Sequence, residues 1–160
     1  MAEMKAGPKV LQVKGLYLGM HIFEACKVVN KLLNSQYVVN ELNGGQYEVN
    51  IPADQQSKQY HGIYTGIPIY VKADATRKVT SICFYLWFGD KIFNSTGIKA
   101  EDFVQEFINA YHVPSMEPIY SEQEVAGWEF VSIYGYKVYI DLNKNISIEA
   151  ITKKSEFKFD

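Results

Sequence analysis

Arginine is nearly missing from this chain, with one, Arg77, in 160 residues. At a formal net charge of −2, that scarcity removes the clustered cations a phosphate backbone requires, so nucleic acid is not an expected partner. Cysteine is equally scarce. Cys26 and Cys83 can form at most one bridge, which excludes a disulfide-stapled scaffold. No run reaches the roughly 18 apolar residues of a spanning helix, so no integral membrane segment is expected. The chain also lacks Gly-x-Ser-x-Gly, a phosphate loop and His-Glu-x-x-His. His21, His61 and His112 have no ligand spacing, and the acid pairs Glu101/Asp102 and Glu122/Glu124 read as a helix first turn and a solvated loop. The expectation is a protein that is not an enzyme, with no catalytic residue, no metal and no cofactor.

What is present is a globular composition, 48% hydrophobic and 21% charged, enough for one good core or two small ones. Aromatic residues make up 14%, twelve of them tyrosine, a residue at home both on a half-buried sheet and on a recognition surface. The strongest pattern is internal repetition. Gly66 to Val71, Val79 and Ile82 reappear as Gly135 to Ile140, Ile148 and Ile151, always at a step of 69. Upstream, Gly19-Met20 and the residues to Ala25 match Gly97-Ile98 and the residues to Phe103 at a step of 78, followed by Val29/Phe107 and Leu33/Tyr111. Each half reads as one helix followed by a meander of strands, and two copies of a unit that cannot bury its own apolar face commonly share a sheet. The excess of nine in the upstream step places an insertion in the first half. The resulting division is an arm over 1–9, a first repeat over 10–93 with an insertion at 34–59, a second repeat over 94–152 and a charged tail over 153–160.

Apolar residues at helical spacing predict helices from Gly19-Met20 to about Leu33 and from Ala100 to Tyr111. Their N-cap positions, His21 and Lys99, depart from the usual Ser or Thr, so both first turns are expected to fray or to be capped from elsewhere. Asn43-Gly44-Gly45 signals a turn before a strand at 46–51; a hairpin follows at 60–72, then a long strand over 79–88. Pro68 argues that its strand lies at an edge or pairs irregularly. Pro114 and Pro118 predict a loop after the second helix, ahead of strands at 127–134, 136–142 and 145–152.

Strand phase assigns Ile82, Phe84, Leu86 and Phe88 to the core and Ser81, Cys83, Tyr85 and Trp87 to the other face. Cys26 shares the apolar stripe of Ile22, Ala25, Val29, Leu32 and Leu33, so the two thiols fall on opposite sides of the sheet and are expected to be free, a lean toward a reducing compartment. Tyr70, Tyr85, Trp87 and Tyr139 share the face away from the helices, with Tyr70 and Tyr139 as repeat equivalents. An open sheet face bearing Trp and Tyr is a candidate surface for another protein or for a second copy of the chain, against the plainer reading of cross-strand pairs. The opening residues Met1-Ala2-Glu3-Met4-Lys5 lack a signal peptide's apolar run; the default expectation is cytoplasmic, or periplasmic where a leader has been trimmed.

Gly19-Met20 opening a helix with Glu24 beyond it, and a helix leading through Tyr111-His112-Val113-Pro114 to Trp128-Glu129-Phe130, resembles the repeat unit of the β-lactamase-inhibitor-protein-like fold. The same unit occurs in small outer-membrane-assembly lipoproteins. Length and duplication look more like the inhibitor, a tandem of two such units on one sheet. The chain departs from the pattern at the helix-end glycine, replaced in His112-Val113-Pro114, and in having neither a lipoprotein cysteine nor paired local disulfides. The resemblance implies an α+β protein of two tandem helix-plus-antiparallel-meander repeats with the helices on one face, and a non-catalytic protein-binding role of inhibitor or assembly-factor type. The alternatives are a small-ligand or lipid binder using the space between helices and sheet, and a homodimeric structural protein.

Overall fold

A strand that alternates apolar and polar residues buries one face only, and several strands of this chain alternate in this way. In the computed structural model, described over residues 4–56, 67–85, 93, 95 and 97–151, they join into one sheet. The elements in chain order are β1 (Met4–Lys5), α1 (Ile22–Leu33), β2 (Val38–Leu42), β3 (Gln46–Asn50), α2 (Ala53–Gln56), β4 (Ile69–Ala73), β5 (Val79–Phe84), α3 (Ala100–Tyr111), β6 (Glu117–Ser121), β7 (Glu124–Ser132), β8 (Tyr136–Asp141) and β9 (Ile146–Ala150). The sheet has nine strands in the order β1-β7-β8-β9-β5-β4-β3-β2, with β6 also beside β7. Every ladder is antiparallel except β1 with β7. Antiparallel strands with helices set apart in sequence define an α+β fold.

The core follows the alternation. Ile69, Val71 and Ala73 of β4, Ile82 and Phe84 of β5, Val138 and Ile140 of β8, and Ile146 and Ile148 of β9 are all buried in one cluster. The same cluster holds Ile22, Ala25, Cys26 and Val29 from α1, and Phe103, Val104 and Phe107 from α3, most of the apolar stripes predicted from spacing, while Leu32 of the predicted α1 stripe is exposed. Phe84, Phe93 and Phe103 meet edge to face, with centroids 5.3 and 6.0 Å apart. Both cysteines are free, as the phase argument requires, and the Cys26 thiol donates to the Tyr37 carbonyl at 3.3 Å.

Several expectations are corrected. His21 is a working cap, its Nδ1 accepting from the Phe23 amide at 3.1 Å; Lys99, by contrast, makes no side-chain cap. The arm at 1–9 is tethered where it is described: Met4 and Lys5 pair with Val131 and Ser132. Within residues 34–59, β2 and β3 form the hairpin that ends one side of the sheet, with Asn43, Gly44 and Gly45 at its turn. The loop after Pro114 gives way to β6, whose Pro118 sits opposite Trp128 on a strand paired on one side only among the described residues, a position that tolerates a missing amide. Pro68 is not on an edge strand. It precedes β4, which lies between β3 and β5, and its carbonyl accepts from the Tyr85 amide at 2.7 Å. The hairpin partner at 60–64 and the end of the long strand at 86–88 lie outside the described residues.

The step of 69 is not kept either. Two five-residue turns superpose at a step of 67: Asp74 Oδ1 accepts from the amides of Thr76 and Lys78, and Asp141 Oδ1 from those of Asn143 and Asn145. Arg77 and Lys144 take left-handed backbone at φ 65° and 67° in the same place. Past the turn, a bulge in the β4–β5 ladder at Thr80 takes up one residue, and Ile82 and Ile148 face each other across β5 and β9. Among the described residues, the pairs found at a step of 69 therefore stand two or three positions off the separation set by these turns and this pairing. We expect Ile148→Ala to lower unfolding free energy by about 2 to 5 kcal/mol in urea denaturation. Ile151→Ala, the partner of Ile82 under a step of 69 but 40% exposed, should cost under about 1 kcal/mol.

Candidate functional site

The ladders fix which side chains stand in line on the sheet face opposite the buried row of Ile82 and Phe84. Tyr70 is opposite Cys83, Cys83 opposite Ser147, Ser147 opposite Tyr139, and Tyr139 opposite Glu129. This row crosses β4, β5, β9, β8 and β7. Its tyrosines are three strand spacings apart, about 14 Å. Cys83 and Ser147 are small, so the row is a trough with an aromatic ring at each wall. A second row beside it runs Lys72, Ser81, Glu149 and Lys137. Ser147 Oγ donates to Glu149 Oε1 at 3.4 Å, and Lys137 Nζ reaches Glu129 Oε1 at 3.9 Å.

Each tyrosine is held by its hydroxyl. Tyr70 Oη donates to Glu48 Oε1 at 2.5 Å, and Asn40 and Asn50 donate to Glu48 Oε2 at 3.5 and 3.3 Å. Glu48 is only 5% exposed, so the acid that seats Tyr70 sits nearly beneath the surface. Burial, the hydrogen bond to Glu48 and the charge of Glu48 together push the Tyr70 hydroxyl far above its ordinary range. Tyr139 Oη donates to the Ala126 carbonyl at 3.2 Å, and its ring lies over Gly127. Burial raises the Tyr139 hydroxyl as well, helped by Asp141 and Glu129. Both hydroxyls are neutral donors at any physiological pH, suited to holding a ring in place rather than to moving protons.

Of the residues singled out from the sequence, Tyr70 and Tyr139 are brought into one row, and half-buried Tyr85, two residues beyond Cys83, follows on the same face. Trp87 lies outside the described residues. Tyr70 and Tyr139 are not register equivalents, since the step of 67 matches Tyr139 with Lys72 and Tyr70 with Lys137. The two seats, Glu48 and Gly127, were not singled out. Each had a signal: Glu48 alternates in phase with Gln46 and Asn50, and a glycine inside a strand marks close approach of another group.

Of the histidines, His21 caps α1, His112 ends α3 in left-handed backbone, and His61 is outside the described residues. Among the described residues no group of three or more His, Cys, Asp or Glu is placed to hold a metal, and no helix is long and apolar enough to cross a membrane. No protein-family model, curated protein or solved structure matches the chain.

Gly127 tests the seat directly. A Cβ there would lie 2.5 Å from Tyr139 Oη, 2.6 Å from its Cζ and 2.7 Å from the Ile140 carbonyl. Gly127→Ala should therefore destabilise the protein by about 1 to 3 kcal/mol, as overpacking does. In a Tyr139→Ala background the penalty should shrink without vanishing, because the Ile140 backbone remains; a double-mutant cycle in urea reads the difference.

Proposed function

We propose that this chain is a non-catalytic protein-binding module that docks another protein on its open sheet face, through Tyr70, Tyr85 and Tyr139 with Trp87 as a further anchor. The observation that carries this reading is the row of Tyr70, Cys83, Ser147 and Tyr139, aromatic walls over a floor of small side chains. Aromatic anchors whose hydroxyls are already bonded lose little rotational freedom on binding, so more of their buried area becomes affinity. The mixed charges beside them, Lys72, Lys137, Glu129 and Glu149, supply a polar rim of both signs.

The architecture supports the same reading. We infer that the chain is a tandem duplication of a helix and a four-strand meander, α1 with β2 to β5 and α3 with β6 to β9, with both helices packed on the face opposite the tyrosines. The mirrored strand order about β5 and β9 and the paired Asp74 and Asp141 turns favour it. So does the way each helix lead-in meets its own turn. Ile22 donates its amide to the Arg77 carbonyl at 2.9 Å, while Lys144, at the position of Arg77, donates through Nζ to the Ser95 and Ile98 carbonyls, both at 2.9 Å. Two helix-and-meander units on one sheet is the arrangement that the resemblance to the β-lactamase-inhibitor-protein-like fold implies, and an inhibitor or assembly-factor role goes with it.

The second reading, a homodimer through the same face, rests on the same row. Affinity capture with the wild-type chain and with a Tyr70→Ala/Tyr139→Ala double variant separates the possibilities. The expected outcome is a binder retained by the wild type and lost by the double variant, each truncation costing about 2 kcal/mol or more of binding. Concentration-dependent mass in sedimentation equilibrium, abolished by the same substitutions, assigns the face to a second copy. Equal retention by both chains, or Phe84→Ala proving mild while the tyrosine variants unfold, rejects the sheet face as the working surface.

A further inference from the structure

At one end of the seam the two central strands part. Pairing of β5 with β9 stops at Ser81 and Glu149; beyond it Thr80 is bulged out of the β4 ladder, and Ala150 pairs with Tyr136 on β8. The segment ahead of α1 borders this gap. It is fixed by Ser132 Oγ, donating to the Ala6 carbonyl at 2.9 Å, and Tyr136 Oη, donating to the Pro8 carbonyl at 2.6 Å. Sheet and segment enclose a cleft of about 340 Å³, at the lower end of the size of small-molecule sites.

The chemistry of the cleft is divided. Core-face side chains Val79 and Ile148 and the neighbouring Leu11 and Leu18 give it an apolar interior. Gly19 and Gly135 border it with left-handed backbone, and a Cβ on either would meet nothing within 4 Å, so the space beside them is open. At the rim stand Lys9 and Lys78, whose ammonium groups make no hydrogen bond or ion pair among the described residues. Asp74 is also at the rim; its Oδ1 accepts from the Thr76 hydroxyl and from the amides of Thr76 and Lys78, and these bonds with the Lys78 charge hold its carboxyl below the ordinary range. Leu11 is 4% exposed, yet its N–H has no acceptor among the described residues. An amide without a partner, beside two cations, suits an anionic oxygen.

We propose that this cleft binds a small amphipathic monoanion, of which a medium-chain carboxylate is the simplest example. The chain lies against Val79, Ile148 and Leu18, and the carboxylate lies between Lys9 and Lys78 with the Leu11 amide. The site is on the opposite face from the tyrosine row and stands or falls independently of it.

Octanoate titrated into the full chain, followed by backbone amide shifts, tests this. Saturable shifts are expected at Val79, Thr80, Gly135 and Ala150, with a dissociation constant near or below about 1 mM. A Lys9→Gln/Lys78→Gln double variant should bind roughly tenfold more weakly, and octanol should bind the wild type no better than octanoate binds that variant. Ala150→Phe, at an exposed strand end, should fill the cleft and remove the shifts, whereas Ser147→Ala on the other face leaves them. No saturable shift at these amides, or equal binding of octanol and octanoate, overturns the proposal. Melting curves of the ligand-free variants show that each remains folded.

Discussion

The pairing of β5 with β9, with Ile82 against Ile148 at its middle, is the constraint on which the rest of the molecule depends. Without it the sheet is two antiparallel meanders, each ending in a strand of buried Val, Ile and Phe side chains with unpaired backbone on one side, an arrangement prone to pairing with other chains. With it, each meander covers the other's exposed edge and the two rows of core residues become one cluster. Register is strict because a slip by one residue would turn Ile82, Phe84, Ile146 and Ile148 to solvent and bring Ser81, Cys83 and Ser147 inside.

Both candidate sites are consequences of that seam. The register that buries Ile82 against Ile148 also sets Cys83 against Ser147, and through them places Tyr70 in line with Tyr139. The bulge at Thr80 that adjusts the β4–β5 hairpin to its five-residue turn is also where β5 and β9 diverge, and the cleft opens there. One ladder thus creates an aromatic-walled trough on one face and a small cavity at the end of the core on the other. They share no side chain.

Local chemistry was legible in the sequence and pairing was not. The stripes Ile22, Ala25, Cys26, Val29 and Phe103, Val104, Phe107 follow from spacing alone, as do the free thiols and the face shared by Tyr70, Cys83 and Tyr85. β2 and β6 were missed for the same reason: Val38–Leu42 and Glu117–Ser121 are short segments without strict apolar alternation, paired with β3 and β7 beside them. The step of 69 differs from the separation of the two turns because apolar residues recur every second position in both meanders. Sequence alignment therefore finds several registers of similar quality, and only the ladder, with its bulge, distinguishes 67 from 69. The partners of the tyrosines were hidden for another reason, since Glu48 and Gly127 sit on strands that reach Tyr70 and Tyr139 only once the sheet is assembled.

On the proposed duplication, the two halves have diverged unevenly, and the pattern of divergence is informative. The turns that close β4–β5 and β8–β9 keep their aspartates and left-handed residues, because a five-residue hairpin that holds register at the seam tolerates little change. The helix lead-ins have exchanged a backbone bond at Ile22 for a lysine at Lys144, different atoms meeting one requirement to pin a helix start against its turn. The outward-facing rows have not been kept alike: the register counterparts of Tyr70 and Tyr139 are Lys137 and Lys72. A face needed only for solubility would have no cause to gather its aromatic residues in one of two rows equivalent by symmetry. Under a role in recognition, that asymmetry marks the row of Tyr70 and Tyr139 as the surface on which the two halves ceased to be interchangeable.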